Sequence, residues 1–229
     1  MKLERRPGAV REHEYEPAHG LPELLPADEH VLWQGAPDWR ALAVRAFHLR
    51  KLVVYFAVML ALRASAVLAD GGGALDALRS VATLAPLALL GLALTLGLAW
   101  LSARTTAYTL TNRRVVMRIG IVLTLSFNLP LKRIAAADLA AAPRGTGDIA
   151  LALAGDDRIA WLQLWPHARP WHLTKPQPML RCVPDGDAVA RLLAQAWSQA
   201  TGLGAATPAE APSGAVPGRA VHGGALAAH

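Results

Sequence analysis

Residues 81–101 read VATLAPLALLGLALTLGLAWL, twenty-one positions without a charge. As a helix rising 1.5 Å per residue the run spans roughly 31 Å, the hydrocarbon thickness of a bilayer. A buried helix of a soluble domain is the competing reading, but nothing else in the chain is apolar enough to cover every face of such a run. Trp100 stands at its end, where an amphipathic ring favours the interface. Gly91 and Gly97 permit close approach of another helix, including one from a second copy of the chain.

Upstream, residues 52–69 read LVVYFAVMLALRASAVLA, a second span interrupted by Arg63. A charge there is costly at mid-bilayer and cheaper where the side chain can snorkel to the far headgroups. A Gly-rich connection, residues 70–80, joins the two into a helical hairpin. Arg40, Arg45, Arg50 and Lys51 precede the first span, and Arg104, Arg113, Arg114 and Arg118 follow the second. Cationic flanks stay cytoplasmic, so both ends of the hairpin are expected on the cytoplasmic side and the short loop outside. The first forty residues are polar and acidic, which argues against a cleavable signal peptide.

The rest of the composition agrees. The 229 residues are 53% hydrophobic and only 17% charged, too little charge for a disordered or nucleic-acid-binding tail. Net charge is +6, and Cys182 is the single cysteine, so neither a disulfide framework nor a multi-cysteine metal site is available. Residues 1–39 hold five prolines and end in the strand-like EHVLWQGAPDW. Residues 40–51 mix Leu42, Val44, Phe47 and Leu49 with Arg and His, as a basic interfacial helix would.

After the hairpin the pattern changes to strands. Residues 105–111, 114–120, 121–129, 149–153 and 159–165 are short and rich in β-branched, aromatic or alternating apolar residues. Residues 187–200 place Val189, Leu192, Leu193, Ala196 and Trp197 at helical spacing, with Asp187 as an expected cap. From residue 201 the chain is mostly Gly, Ala, Pro and Ser, the composition of a disordered tail. The expected class is an α+β membrane protein. A transmembrane hairpin (40–101) sits between the N-terminal segment (1–39) and an antiparallel β-barrel or sandwich closed by a helix (102–200), followed by the tail (201–229).

Trp33-x-Gly35-x-Pro37, followed by Arg104-x-x-x-Tyr108-x-Leu110-Thr111-Asn112-x-Arg114-Val115, resembles a bacterial pleckstrin-homology (PH) type domain. Across residues 13–199, LWQGAPDWRALA, ARTTAYTLTNRRVVMRIGI, FNLPLKRIAAADL, GTGDIALAL and LWPHARPWHLTKPQPMLRCVPD resemble the PuhB family of photosynthetic-complex assembly proteins of purple bacteria. The resemblance implies a non-enzymatic membrane factor. It would hold reaction-centre or light-harvesting 1 subunits in the intracytoplasmic membrane while the core complex is built. A generic membrane-anchored PH-like lipid- or protein-binding module is the alternative.

Residues 165–178, WPHARPWHLTKPQP, carry the densest candidate site. Prolines reduce the entropy lost on ordering, and Trp and Arg are enriched at binding hot spots. Trp165, Pro166, His167, Arg169, Pro170, Trp171 and Lys175 are therefore the expected partner-binding residues, the competing reading being a rigid crossover whose Trp rings plug the domain. His167 and His172 lack a nearby carboxylate or Cys to complete a metal site. Arg45, Arg50, Lys51, Arg104, Arg113 and Arg114 are the expected membrane-surface residues, since an anionic leaflet attracts such clusters. Nucleic acid is a poor competitor because the strands lack interleaved aromatics. No Ser-His-Asp order, phosphate loop or dinucleotide fingerprint is present, so no catalytic residue, metal or cofactor is expected.

Overall fold

A computed structural model describes residue 21 and residues 25–155 and 159–202. The expected contribution of residues 1–20 and the expected disorder of the tail from 203 lie outside the described residues. Strand β1 (Val31–Gly35) leads into helix α1 (Trp39–Arg45), and the two long helices follow. These are α2 (Leu49–Ala69) and α3 (Ala74–Thr105), both long and apolar enough to cross a membrane. Then come β2 (Ala107–Thr111), β3 (Arg114–Ile119), β4 (Leu125–Pro130), β5 (Ile134–Ala141) and β6 (Thr146–Leu153). A single helical turn α4 (Trp161–Leu164), strand β7 (Met179–Pro184) and helix α5 (Gly186–Thr201) complete the order.

The strands form two antiparallel sheets, β1-β2-β3-β4 and β5-β6-β7, rather than one closed barrel. Their facing side chains make the core: Tyr108, Leu110, Val115 and Met117 from one sheet, Ile149, Leu151, Leu180 and Val183 from the other, with Val189, Leu193 and Ala196 of α5. Burying each large apolar side chain stabilises by about 1.5–3 kcal/mol, so this one cluster outweighs the polar contacts around it. Trp197 anchors α5 by donating its indole N–H to the Ile134 carbonyl at 2.8 Å.

Several local expectations are corrected. Residues 159–165 are not a strand: they contain α4, whose Leu164 is fully buried. Strand β5 went unread because Ala and Asp are poor strand formers. The connection between the long helices is only residues 70–73, since 74–80 already belong to α3. The basic segment 40–51 is not one interfacial helix. It breaks where His48 takes left-handed backbone (φ 54°), and Leu42 and Ala43 of α1 are buried against the protein. Asp187 lies in the first turn of α5, while Asp185 occupies the cap position without a capping side-chain bond.

Helix α3 continues without interruption into the domain. Its last turn, with Ser102 and Ala103 buried, packs beside α1 and β7 through Leu42 and Cys182. One extended residue, Thr106, then passes the chain into β2. The start of β2 therefore marks the hairpin end of the first sheet, and the turn after Thr111 marks the far end.

Within the hairpin, Gly91 faces the Phe56 ring, which a Cβ would approach to 3.3 Å, whereas Gly97 faces open space. Arg63 donates to the Ser80 hydroxyl across the two helices at 2.6 Å. Beyond its first turn, the α2 surface is mostly exposed apolar side chain, including Val54, Val58 and Leu62.

Candidate functional site

The long connection between β6 and β7 carries the partner-binding candidates. It is pinned at its base by a bridge between Ala168 and Pro178 and by Arg169 N–H donating to the Gln177 carbonyl at 2.9 Å. The Arg169 guanidinium reaches Asp138 of β5 at 2.6 Å and the Gln177 side chain at 2.9 Å. Beyond this clamp the chain turns outward. Trp171, in left-handed backbone (φ 63°), is 93% exposed, and Leu173 and Lys175 are exposed beside it. The large ring is thus held in water while its supports are ion-paired.

The seven candidates divide. Pro170, Trp171 and Lys175 are exposed at the tip, and Arg169 is half-buried in the clamp. Trp165 is half-exposed and meets the Phe47 ring edge-on at 5.4 Å, just before α2 begins. Pro166 and His167 are buried, so they shape the loop and do not face a partner. Leu162, exposed on the turn of α4, was missed because residues 159–165 read as a strand.

His167 lies at the centre of a buried polar chain. Its Nδ1 is 2.6 Å from the Tyr108 hydroxyl and its Nε2 is 3.1 Å from the Thr106 hydroxyl. Burial, reinforced by the charge of Arg181, lowers its pKa to about 3, while burial raises that of Tyr108. Arg181 donates to the Pro166 and Arg45 carbonyls at 3.0 and 3.3 Å. Cys182 is fully buried next to it, and burial together with the nearby Asp148 carboxylate pushes its thiol up to about 12. Among the described residues no group of three His, Cys, Asp or Glu side chains could hold a metal ion.

The membrane-surface candidates also divide. Arg50 and Lys51 are exposed in the first turn of α2. Arg104 lies over the Trp100 ring at 5.4 Å, and Arg40 over Trp39 at 5.3 Å, the two Trp lining one cavity of about 470 Å³ at the hairpin end. Arg45 instead turns inward to the buried Asp148 at 2.9 Å. Arg113 and Arg114 sit at the far end of the sheet, ion-paired with Asp28 and Glu29. The five residues of β2 carry the chain roughly 17 Å away before the turn that bears these two arginines.

The bacterial PH domain family matches residues 46–197. A relative from Rhodobacter capsulatus, named as an uncharacterized 23.7 kDa protein in the puhA 5′ region, is 41% identical over 185 residues. That match covers 80% of this chain and 86% of the relative. Among solved structures, a DUF1696 family protein with a pleckstrin-homology domain from Shewanella loihica PV-4 matches 39% of this chain and 69% of its own. Its identity is 13% and its TM-score 0.26.

Proposed function

Because the chain belongs to the bacterial PH domain family, with two long apolar helices between the first two strands of its sheet, we propose that it is a membrane-anchored docking protein. Its task is the assembly of the photosynthetic reaction centre–light-harvesting 1 core complex. The hairpin crosses the inner membrane, both termini are cytoplasmic, and the domain sits at the base of the hairpin with Arg50, Lys51 and Arg104 toward the anionic leaflet. The protein is non-enzymatic. His167 and Cys182, its most chemically capable side chains, are sealed in the interior and serve to hold the β6–β7 loop.

The observation that carries the reading is that loop: an exposed Trp171 with Leu173 and Lys175, presented on a base fixed by Arg169, Asp138 and Gln177. Pre-ordered aromatic anchors lose little entropy on binding, as a factor that must engage and release subunits requires. The choice of reaction-centre and light-harvesting subunits as partners is supported by the resemblance to the PuhB family and by the puhA neighbourhood in the relative's name.

The test is an affinity pull-down of tagged protein from mildly solubilised membranes of pigment-forming cells, with mass spectrometry of the co-purifying chains. Reaction-centre or light-harvesting subunits are expected, with recovery reduced about tenfold by Trp171→Ala combined with Leu173→Ser. Recovery that survives both substitutions moves the contact to the hairpin. Recovery of lipid alone overturns the assembly role and leaves a generic membrane-bound PH-like module.

A further inference from the structure

The connection between β3 and β4 places three consecutive apolar side chains in solvent. Ile121, Val122 and Leu123 are 38%, 90% and 80% exposed, although each of the flanking strands contributes to the core. Isolated exposed apolar residues are ordinary, but a run of three at a turn tip is not. The turn requires glycine: Gly120 has φ +120°, and a Cβ there would fall 2.0 Å from the Leu123 carbonyl oxygen. Only glycine closes it, and closing it this way holds the three side chains outward.

Register fixes where the tip lies. Ala107, two residues beyond the end of α3, pairs with Arg118, and Ile119 pairs with Leu125. The tip is thus at the hairpin end of the sheet, the same end as Trp100 and Arg104. The opposite end carries the ion pairs of Arg113 and Arg114. No charged residue occurs from Ile119 to Pro130, and Arg118 is the cation immediately beneath the tip.

We propose that Ile121, Val122 and Leu123 form a wedge that enters the headgroup–acyl boundary of the bilayer crossed by α2 and α3. This rests on the membrane reading of the hairpin. Apolar side chains above one cation match the profile of that boundary, where an apolar surface is buried a few ångströms deep and a cation remains at phosphate level. The occupant follows from position: the tip lies at the end of the sheet where α3 enters β2, the end at which Trp39, Trp100 and Arg104 line one cavity. A second contact beside the helices fixes the tilt of the domain, and with it the direction in which Trp171 is presented.

Nitroxide labels at Val122→Cys, Leu90→Cys and Asn112→Cys, in full-length protein in nanodiscs of phosphatidylcholine and phosphatidylglycerol, test this by accessibility to oxygen and to a water-soluble nickel chelate. The native Cys182 is buried and stays unlabelled. The oxygen-to-nickel ratio is expected to be roughly threefold higher at Val122 than at Asn112, as for a side chain at the headgroup boundary. A Val122 ratio equal to that of Asn112, with Leu90 in lipid, overturns the wedge and leaves the hairpin reading intact. Exclusion of both reagents from Val122 marks a protein contact and likewise overturns it. An aqueous Leu90 overturns the membrane reading and the wedge together.

Discussion

The Tyr108 hydroxyl lies 2.6 Å from Nδ1 of His167, and the same oxygen accepts the Arg181 backbone N–H at 3.2 Å. The Thr106 hydroxyl donates its one hydrogen to the Ser102 carbonyl, so it accepts from Nε2, which leaves Nδ1 of the neutral ring to accept the phenol's proton. Nε2 of the neutral ring then carries the hydrogen and donates to Thr106, whose hydroxyl donates to the Ser102 carbonyl at 2.7 Å. One hydrogen-bonded chain therefore joins β7, β2, the β6–β7 loop and the end of α3. It couples the position of the loop to the helix that leaves the domain, and it works only while His167 is neutral.

That requirement gives a pH dependence. The folded-state pKa of His167, about 3, lies below the ordinary value of 6.5. Between these values the unfolded chain binds the proton and the folded chain does not, so the contribution of His167 is complete above pH 6.5 and is lost as pH falls toward 3. His167→Gln is expected to be less stable than wild type at pH 7.5 by about 1–3 kcal/mol, from the lost hydrogen bonds. The gap should narrow by up to about 1.4 kcal/mol per pH unit on acidification. Denaturant unfolding in micelles at several pH values checks this, and a gap that widens on acidification contradicts it.

Arg45 makes a second test of the interior. It neutralises Asp148, whose other oxygen accepts the Cys182 backbone N–H at 2.7 Å. Arg45→Ala leaves a buried carboxylate without its cation and is expected to cost about 3 kcal/mol. Pairing it with Asp148→Asn, which removes the charge but keeps an accepting oxygen, should recover much of that loss. A double-mutant cycle measured by denaturation provides the coupling.

The far end of the sheet separates ion pairing from lipid attraction. Arg114 grips Glu29 through two hydrogen bonds of 2.8 and 3.1 Å, while Arg113 pairs with Asp28 in the open. Arg114→Ala should cost about 3 kcal/mol because Glu29 is buried, and Arg113→Ala less than about 1. Neither should alter the gain in melting temperature when anionic nanodiscs replace neutral ones. Combined Ala substitution of Arg50, Lys51 and Arg104 should reduce that gain.

These contrasts show what the sequence made legible. The hairpin could be read because an uncharged run of bilayer length needs no tertiary information, and the helical spacing of Val189, Leu193 and Ala196 likewise identified α5. Strand β5, written IAAADLAA, was illegible because its extended state comes from pairing with β6 across seven residue pairs rather than from propensity. The β6–β7 loop stood out by composition, yet the burial of His167 depends on Tyr108, 59 positions away. Likewise the ion pairs of Arg113 and Arg114 with Asp28 and Glu29 depend on residues more than eighty positions upstream. Whatever depended on long-range pairing was hidden.

Cys182 provides a probe of whether the interior stays closed. Its thiol is held near 12 against an ordinary 9.0, so its neutral form is favoured, and this contribution fades as pH rises from 9 toward 12. At pH 8 the thiolate is scarcer by roughly a thousandfold on ionisation alone, before burial limits access. Alkylation of native protein should therefore be far slower than of unfolded protein. Opening of the His167 chain by His167→Ala should accelerate it, and an unchanged rate in that variant would show that the two buried groups open independently.

The close backbone approach between α5 and β6 predicts a position where a single methyl is poorly tolerated. Gly186, the first residue of α5, stands so near Gly147 of β6 that a Cβ on it would lie 2.5 Å from the Gly147 Cα and 2.7 Å from its nitrogen. Both obstacles are backbone, so no side-chain rotation relieves them. Gly186→Ala must lift the start of α5 from the sheet and strain the packing of Val189 against the core, at about 1–3 kcal/mol. Gly145, two residues before Gly147, is the control: its Cβ would meet only the Asp185 carboxylate at 4.0 Å, but its φ of +72° is left-handed. Gly145→Ala should therefore cost about 1 kcal/mol, from conformation rather than collision. Denaturation midpoints that fall further for Gly186→Ala than for Gly145→Ala would establish that contact between the two backbones, not turn conformation, limits how closely α5 closes the domain.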